Sequence, residues 1–214
     1  MRDAKDVRIS REAYAPHPLA NIVNDLWGRA APANAAGSTT TQAVPAQSFP
    51  PFEQLWQVAD ETVDWTEALV REHPADGLTS ETLWQFFHEN AQAVLDGDVQ
   101  AYMTVLKAAN PLGDLKPYAR AYTVRATDAD ELTCDFEVDP AYLSSTESEV
   151  RRYLCGVSLR VARDLMALLP VSRVTVHARQ DENPLLDVTY PRETLQRVRF
   201  SFVDPVALTK ECQE

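Results

Sequence analysis

Glycine is scarce in this chain of 214 residues: there are six, and no cluster of them follows a strand-like run. That leaves no phosphate cradle of the kind a glycine-rich loop builds at a helix start. Cysteine is scarcer still. Cys134, Cys155 and Cys212 form no closely spaced pair, and so sparse and odd a set argues against a disulfide framework and for a reducing compartment. His17, His73, His88 and His177 stand apart from one another and from the cysteines, and His88-Glu89 lacks the second His of a zinc helix. No metal site and no cofactor are expected on that spacing. No Ser or Cys occupies a G-x-S-x-G elbow, so a hydrolase triad has no anchor. No apolar run is long enough to span a bilayer, and the opening MRDAKDVRIS lacks the apolar core of a secretory leader. The cytoplasm is the expected compartment.

Positive charge is also in short supply. Lys and Arg number 20 against 32 Asp and Glu, a net charge of −12. This balance disfavours duplex nucleic acid and anionic membrane, both of which are held by Lys and Arg meeting phosphate, and it permits a basic protein partner. The imbalance is local. Between residues 52 and 117 there are 12 acidic and 3 basic residues.

What the chain does contain is one strongly periodic stretch, residues 144–169. At 100° per residue, Val150, Tyr153, Leu154, Val157, Val161, Leu165 and Leu168 form one apolar stripe. Ser144, Ser145 and Thr146 with Glu147 and Glu149 signal the start, and Pro170 the stop. The expectation is a helix of about seven turns. Cys155, Leu159, Ala162 and Met166 form a second, weaker stripe, so this helix should be sandwiched, with the sheet on one side and the N-terminal helices or a second subunit on the other. Arg152, Arg160 and Arg163 fill the remaining arc, read as exposed. With Arg151 they are expected to be a solvated face or to meet acids of the neighbouring helical unit, an anion site being the sharper alternative.

The rest divides by period. Residues 1–30 are an arm, with a possible edge strand through Val7 and Ile9, and a short amphipathic helix through Leu19, Ile22, Val23, Leu26 and Trp27. Residues 31–51, uncharged and rich in Ala, Thr and Pro, read as a flexible linker. Residues 52–117 read as an acidic helical unit: one helix from Phe52 to Arg71, a second capped by Thr79 or Ser80, a third capped by Asp98. From Tyr118 the period becomes two. Strands at 118–126, 132–138, 173–179 and 185–190 flank the long helix, with Phe200 to Phe202 a possible further edge strand. The fold class is α+β: an N-terminal unit of three to four helices plus a ββαββ sheet, antiparallel or mixed, with one long helix packed on it. Residues 118–214 are the sheet domain, and 52–214 is expected to be one compact body.

Three functions follow as expectations. The leading one is a non-catalytic interaction protein, binding a protein partner or itself through the acidic unit and through Leu26, Trp27, Leu159 and Met166. The second is a small-molecule enzyme or ligand-binding domain on the polar sheet face. There His177 is the candidate base, oriented by Asp135, Glu137 or Asp187, and Arg125 or Arg179 is the anion clamp. Alternating strands also produce such a face as plain solvated polarity. The third is an acidic nucleic-acid mimic or inhibitor.

Overall fold

The computed structural model describes residues 5–10, 52–74 and 80–213. The expected helix containing Leu26 and Trp27, the linker, His17 and Thr79 lie outside them. The elements in chain order are β1 (Lys5–Ser10), α1 (Trp65–Val70), α2 (Glu81–Leu95), α3 (Val99–Ala109), β2 (Ala121–Ala126), β3 (Glu131–Glu137), α4 (Glu147–Leu168), β4 (Arg173–Gln180), β5 (Asn183–Pro191), α5 (Arg192–Gln196) and α6 (Pro205–Gln213). Short 3-10 turns occupy Leu55–Gln57, Lys116–Tyr118, Pro140–Ser144 and Phe200–Phe202. The fold is α+β.

The sheet is mixed, with strand order β1-β2-β3-β4-β5. Every neighbouring pair is antiparallel except β3 with β4, which are parallel and joined by α4 as the crossover. Register turns the alternation of the sequence into two faces. Val124, Cys134, Val176 and Val188 line up across four strands, as do Ala126, Leu132, Val174 and Tyr190. All eight are buried. The rows between them, Thr123-Asp135-His177-Asp187 and Arg125-Thr133-Thr175-Thr189, form the opposite, polar face.

Helix α4 packs on the apolar face. Thr146 and Glu149 close a reciprocal capping box at its start, and Leu169, extended before Pro170, ends it. Arg192 reaches back to donate to the carbonyls of Met166 (2.8 Å) and Leu169 (2.6 Å), which the helix end leaves without intrahelical partners. From Tyr153 to Leu169 every residue except Arg163 is buried. The helix is therefore covered on both sides, but not as the periodicity suggested. The second cover is α6 with residues 52–64, rather than the helices of the acidic unit. A buried chain of hydroxyls, Ser158 to Tyr190 (2.8 Å) and Tyr190 to Thr209 (2.8 Å), ties α4, β5 and α6 together. Leu159 (0% exposed) and Met166 (5%) are buried inside this one chain, so neither is presented to a second molecule.

Two further expectations are corrected. Phe52 to Arg71 is not one helix. After the turn Leu55–Gln57 the chain runs irregularly until Asp64 caps α1, because its polar groups bond to α4 instead of to each other. Val63 N–H donates to Ala167 O (2.9 Å), and Trp65 Nε1 donates to Leu168 O (2.7 Å). Phe200–Phe202 is a 3-10 turn, not an edge strand. The Arg163 guanidinium sits 3.6 Å over the Phe200 ring, and Trp56 Nε1 donates to Val203 O (3.2 Å), which fixes this stretch against α4 and away from the sheet.

Candidate functional site

Two groups of charged side chains stand out. On the polar sheet face, Asp187 is the carboxylate that meets His177, at 3.2 Å between Oδ1 and Nδ1. Asp135, directly across from His177 in register, is engaged by Arg125 and by Arg179 Nε (3.3 Å). Glu137 pairs with Arg120 (3.4 Å). Thr175 donates to Glu131 (2.8 Å), which also accepts from Arg173 (2.7 Å). The face is thus a lattice of cross-strand pairs. Its His–Asp contact has the geometry that fixes an imidazole tautomer, yet Asp187 is 73% exposed, so water competes for the same oxygen. Arg125 and Arg179, the expected anion clamp, share one carboxylate.

The second group surrounds Arg160, which the helical arc had placed in solvent. Its side chain is 5% exposed. Nε donates to Asp164 Oδ2 (2.5 Å), Nη2 donates to Asp114 Oδ2 (2.9 Å), and Asp60 Oδ1 lies 3.5 Å from Nη2. The Asp60 backbone N–H donates to the other Asp164 oxygen (3.0 Å). Both oxygens of the fully buried Asp164 therefore accept hydrogen bonds, which favour its charged form against the cost of burial. Burial still pushes the Asp164 carboxyl up to about 8, opposed by Arg160 and by the Asp60 N–H, with Asp60 adding to the rise. Asp60 is raised as well, by less. Burial, with Asp114 adding and Arg160 opposing, raises its carboxyl to about 6.

One turn of helix further on, Arg163 donates to the carbonyls of Trp56 and Val58, the latter at 3.1 Å. Arg152 lies over the Trp56 ring, 5.1 Å from its centroid. These two arginines and Arg160 thus bind residues 52–64 to α4. The same segment walls a groove of about 500 Å³, lined by Glu53, Gln54, Leu55, Val58, Tyr118 and Arg160. A second groove, of about 400 Å³, runs beside α6 past Val198, Val203 and Phe202, and Phe202 is 86% exposed.

Asp60 and Asp114 were not recoverable from sequence, since they lie 104 and 46 residues from the helix positions they bond. The one local signal was the i,i+4 spacing of Arg160 and Asp164. The cysteines behave as small apolar residues. Cys134 and Cys155 are buried, and burial raises both thiols away from reactivity. Among the described residues no group of His, Cys, Asp and Glu is arranged to hold a metal ion, and no helix is long and apolar enough to cross a membrane. Comparison with protein-family models, with curated proteins and with solved structures finds no match for the chain.

Proposed function

We propose that this chain is a non-catalytic binding protein of the cytoplasm, and that its acidic unit takes a basic protein partner at the groove beside Arg160. The observation that carries this reading is the charge excess there. One guanidinium faces Asp60, Asp114 and Asp164, and exposed Glu53 lines the mouth. A lysine or arginine from a partner entering the groove relieves that excess, and field lines from the 52–117 unit steer it there.

A fluorescent octalysine peptide, titrated with the full chain and followed by anisotropy, tests the reading. Binding is expected to weaken steeply between 50 and 300 mM NaCl (concentrations on the order of the screening range). The pair of substitutions Glu53→Gln and Asp114→Asn, both at exposed side chains, is expected to weaken it about tenfold. Affinity insensitive to salt, or unchanged in the double variant, counts against the proposal.

The sheet face supports a second reading, a small-molecule site using His177 with Asp187, on the strength of their 3.2 Å contact. An acidic ligand held there is expected to move the His177 imidazole resonances. A screen of small carboxylates that leaves them unmoved removes this reading.

A further inference from the structure

Residues 52–64 lie on α4 without regular secondary structure beyond the turn Leu55–Gln57. Phe52 packs edge-on against Tyr142 and Tyr153, and Trp56 is buried. Trp56 fits against Gly156, where a Cβ would come within 2.8 Å of its ring. The carbonyls of Trp56 and Val58 accept from Arg163, Val63 N–H donates to Ala167 O, and the Asp60 N–H donates to Asp164. This stretch places Asp60 against the helix, in a site already occupied by two carboxylates and one guanidinium.

We infer that residues 52–64 form a strap latched on α4 through the Asp60–Arg160–Asp164 cluster, and that loss of a proton from this cluster loosens the strap. The charged groups facing Asp60 are Arg160 and Asp164 on α4 and Asp114 on the segment after α3. Arg163, also on α4, is turned to the strap carbonyls, and Tyr118, on the turn before β2, borders the adjoining groove. As Asp60, and at higher pH Asp164, whose carboxyl burial holds at about 8, lose their protons, negative charge builds up around a single guanidinium. Lifting the strap returns Asp60 to water, where its charge is solvated. The carboxyl of Asp60 sits at about 6 in the latched state against 3.8 in its ordinary one. The released state therefore holds fewer protons and is favoured as pH rises through that interval. The strap is tightest in mild acid. This inference concerns the protein alone and stands whether or not the groove takes a basic partner.

Amide exchange by NMR on the full-length, 15N-labelled chain tests it. The Asp60 N–H resonance is expected to titrate with a midpoint near the carboxyl's value of about 6. Exchange at Val63 N–H, corrected for the intrinsic rise with pH, is expected to quicken about tenfold or more between mild acid and neutrality, each pKa unit corresponding to tenfold. In Asp60→Asn that acceleration disappears. In Asp114→Asn, which alters only an exposed side chain, the Asp60 midpoint moves toward the ordinary carboxylate range, because Asp114 is one of the groups raising it. Corrected exchange at Val63 that is flat with pH in the native chain, acceleration that persists in Asp60→Asn, or a midpoint unmoved in Asp114→Asn would overturn the latch.

Discussion

On the open face of the sheet, Asp135 stands between Arg125 and Arg179, whose side chains are 30% and 51% exposed. Beneath the strap, Arg160 is 5% exposed and its partner Asp164 not at all. Both are networks of arginine and aspartate, and sequence composition does not tell them apart. Water does. Pairs such as those of Asp135, itself 18% exposed, still keep part of their solvent and gain little, on the order of 0–1 kcal/mol. The Arg160–Asp164 pair has given up that alternative, so removing either member strands the other. Function that depends on an energetic penalty, such as a latch, has material to work with only in the second place.

Breaking the buried network should therefore produce the largest effect. Arg160→Met leaves Asp164 buried without its cation and is expected to lower stability by about 3–5 kcal/mol, read from urea unfolding. The double variant Arg160→Met with Asp164→Leu replaces the pair by apolar volume and is expected to regain much of that loss, as buried ion pairs replaced whole often do. A double variant as unstable as the single one would place the energy in the packing around Arg160 rather than in its charge.

The strap gives the next effect. Gly156→Ala drives a methyl group to within 2.8 Å of the Trp56 ring, which is itself 1% exposed. An indole clamped by Arg152 and by its bond to Val203 cannot swing freely aside. A cost of about 1–3 kcal/mol is expected, with the loss of amide protection concentrated in residues 52–64. Protection lost evenly over the sheet would mean that the strap and the sheet unfold as one unit.

Charge at Asp60 ranks third. Its carboxyl is raised in the folded state, so it contributes stability that is complete below its unfolded value of 3.8 and is lost as pH rises through about 6. The stability of the native chain minus that of Asp60→Asn should fall across that window. The side chain is 35% exposed, and discounting for solvent brings the expected change to about 1 kcal/mol. Paired urea titrations in mild acid and at neutrality measure it, and a difference that rises with pH would reverse the sign assigned to the whole cluster.

How far the sequence reveals this molecule follows from the range of its interactions. The alternation of Leu132, Cys134 and Phe136 with Thr133, Asp135 and Glu137 is a property of adjacent residues, and it appears unchanged as the two faces of β3. Thr146 with Glu149, and Pro170 after Leu169, are equally local and mark the ends of α4. The sandwiching of α4 was legible from its second stripe, but the identity of the cover was not. Residues 52–64 carry helical spacing in Leu55, Val58, Ala59 and Val63, yet tertiary bonds to Ala167 and Asp164 outcompeted it. Asp187 was one of three carboxylates that the alternation could set near His177, and the pairing of β4 with β5 selects it. Asp60 and Asp114 were not, because nothing periodic links a strap, a loop and a helix. That Arg160 meets acids of the 52–117 unit was one of the readings its arc allowed, but its burial was not, because the cover comes from distant parts of the chain.

The sheet face supplies the smallest effect and the sharpest control. His177→Ala removes a contact to an aspartate that is 73% exposed, and its loss is expected to change stability by less than about 0.5 kcal/mol. Asp135→Asn frees two arginines into water and is expected to cost no more than about 1 kcal/mol, less in high salt. If either substitution instead approached the cost of Arg160→Met, the face would not be the solvated lattice its exposure indicates. That outcome would mean a face more enclosed than the described residues alone make it, and would favour the small-molecule reading around His177.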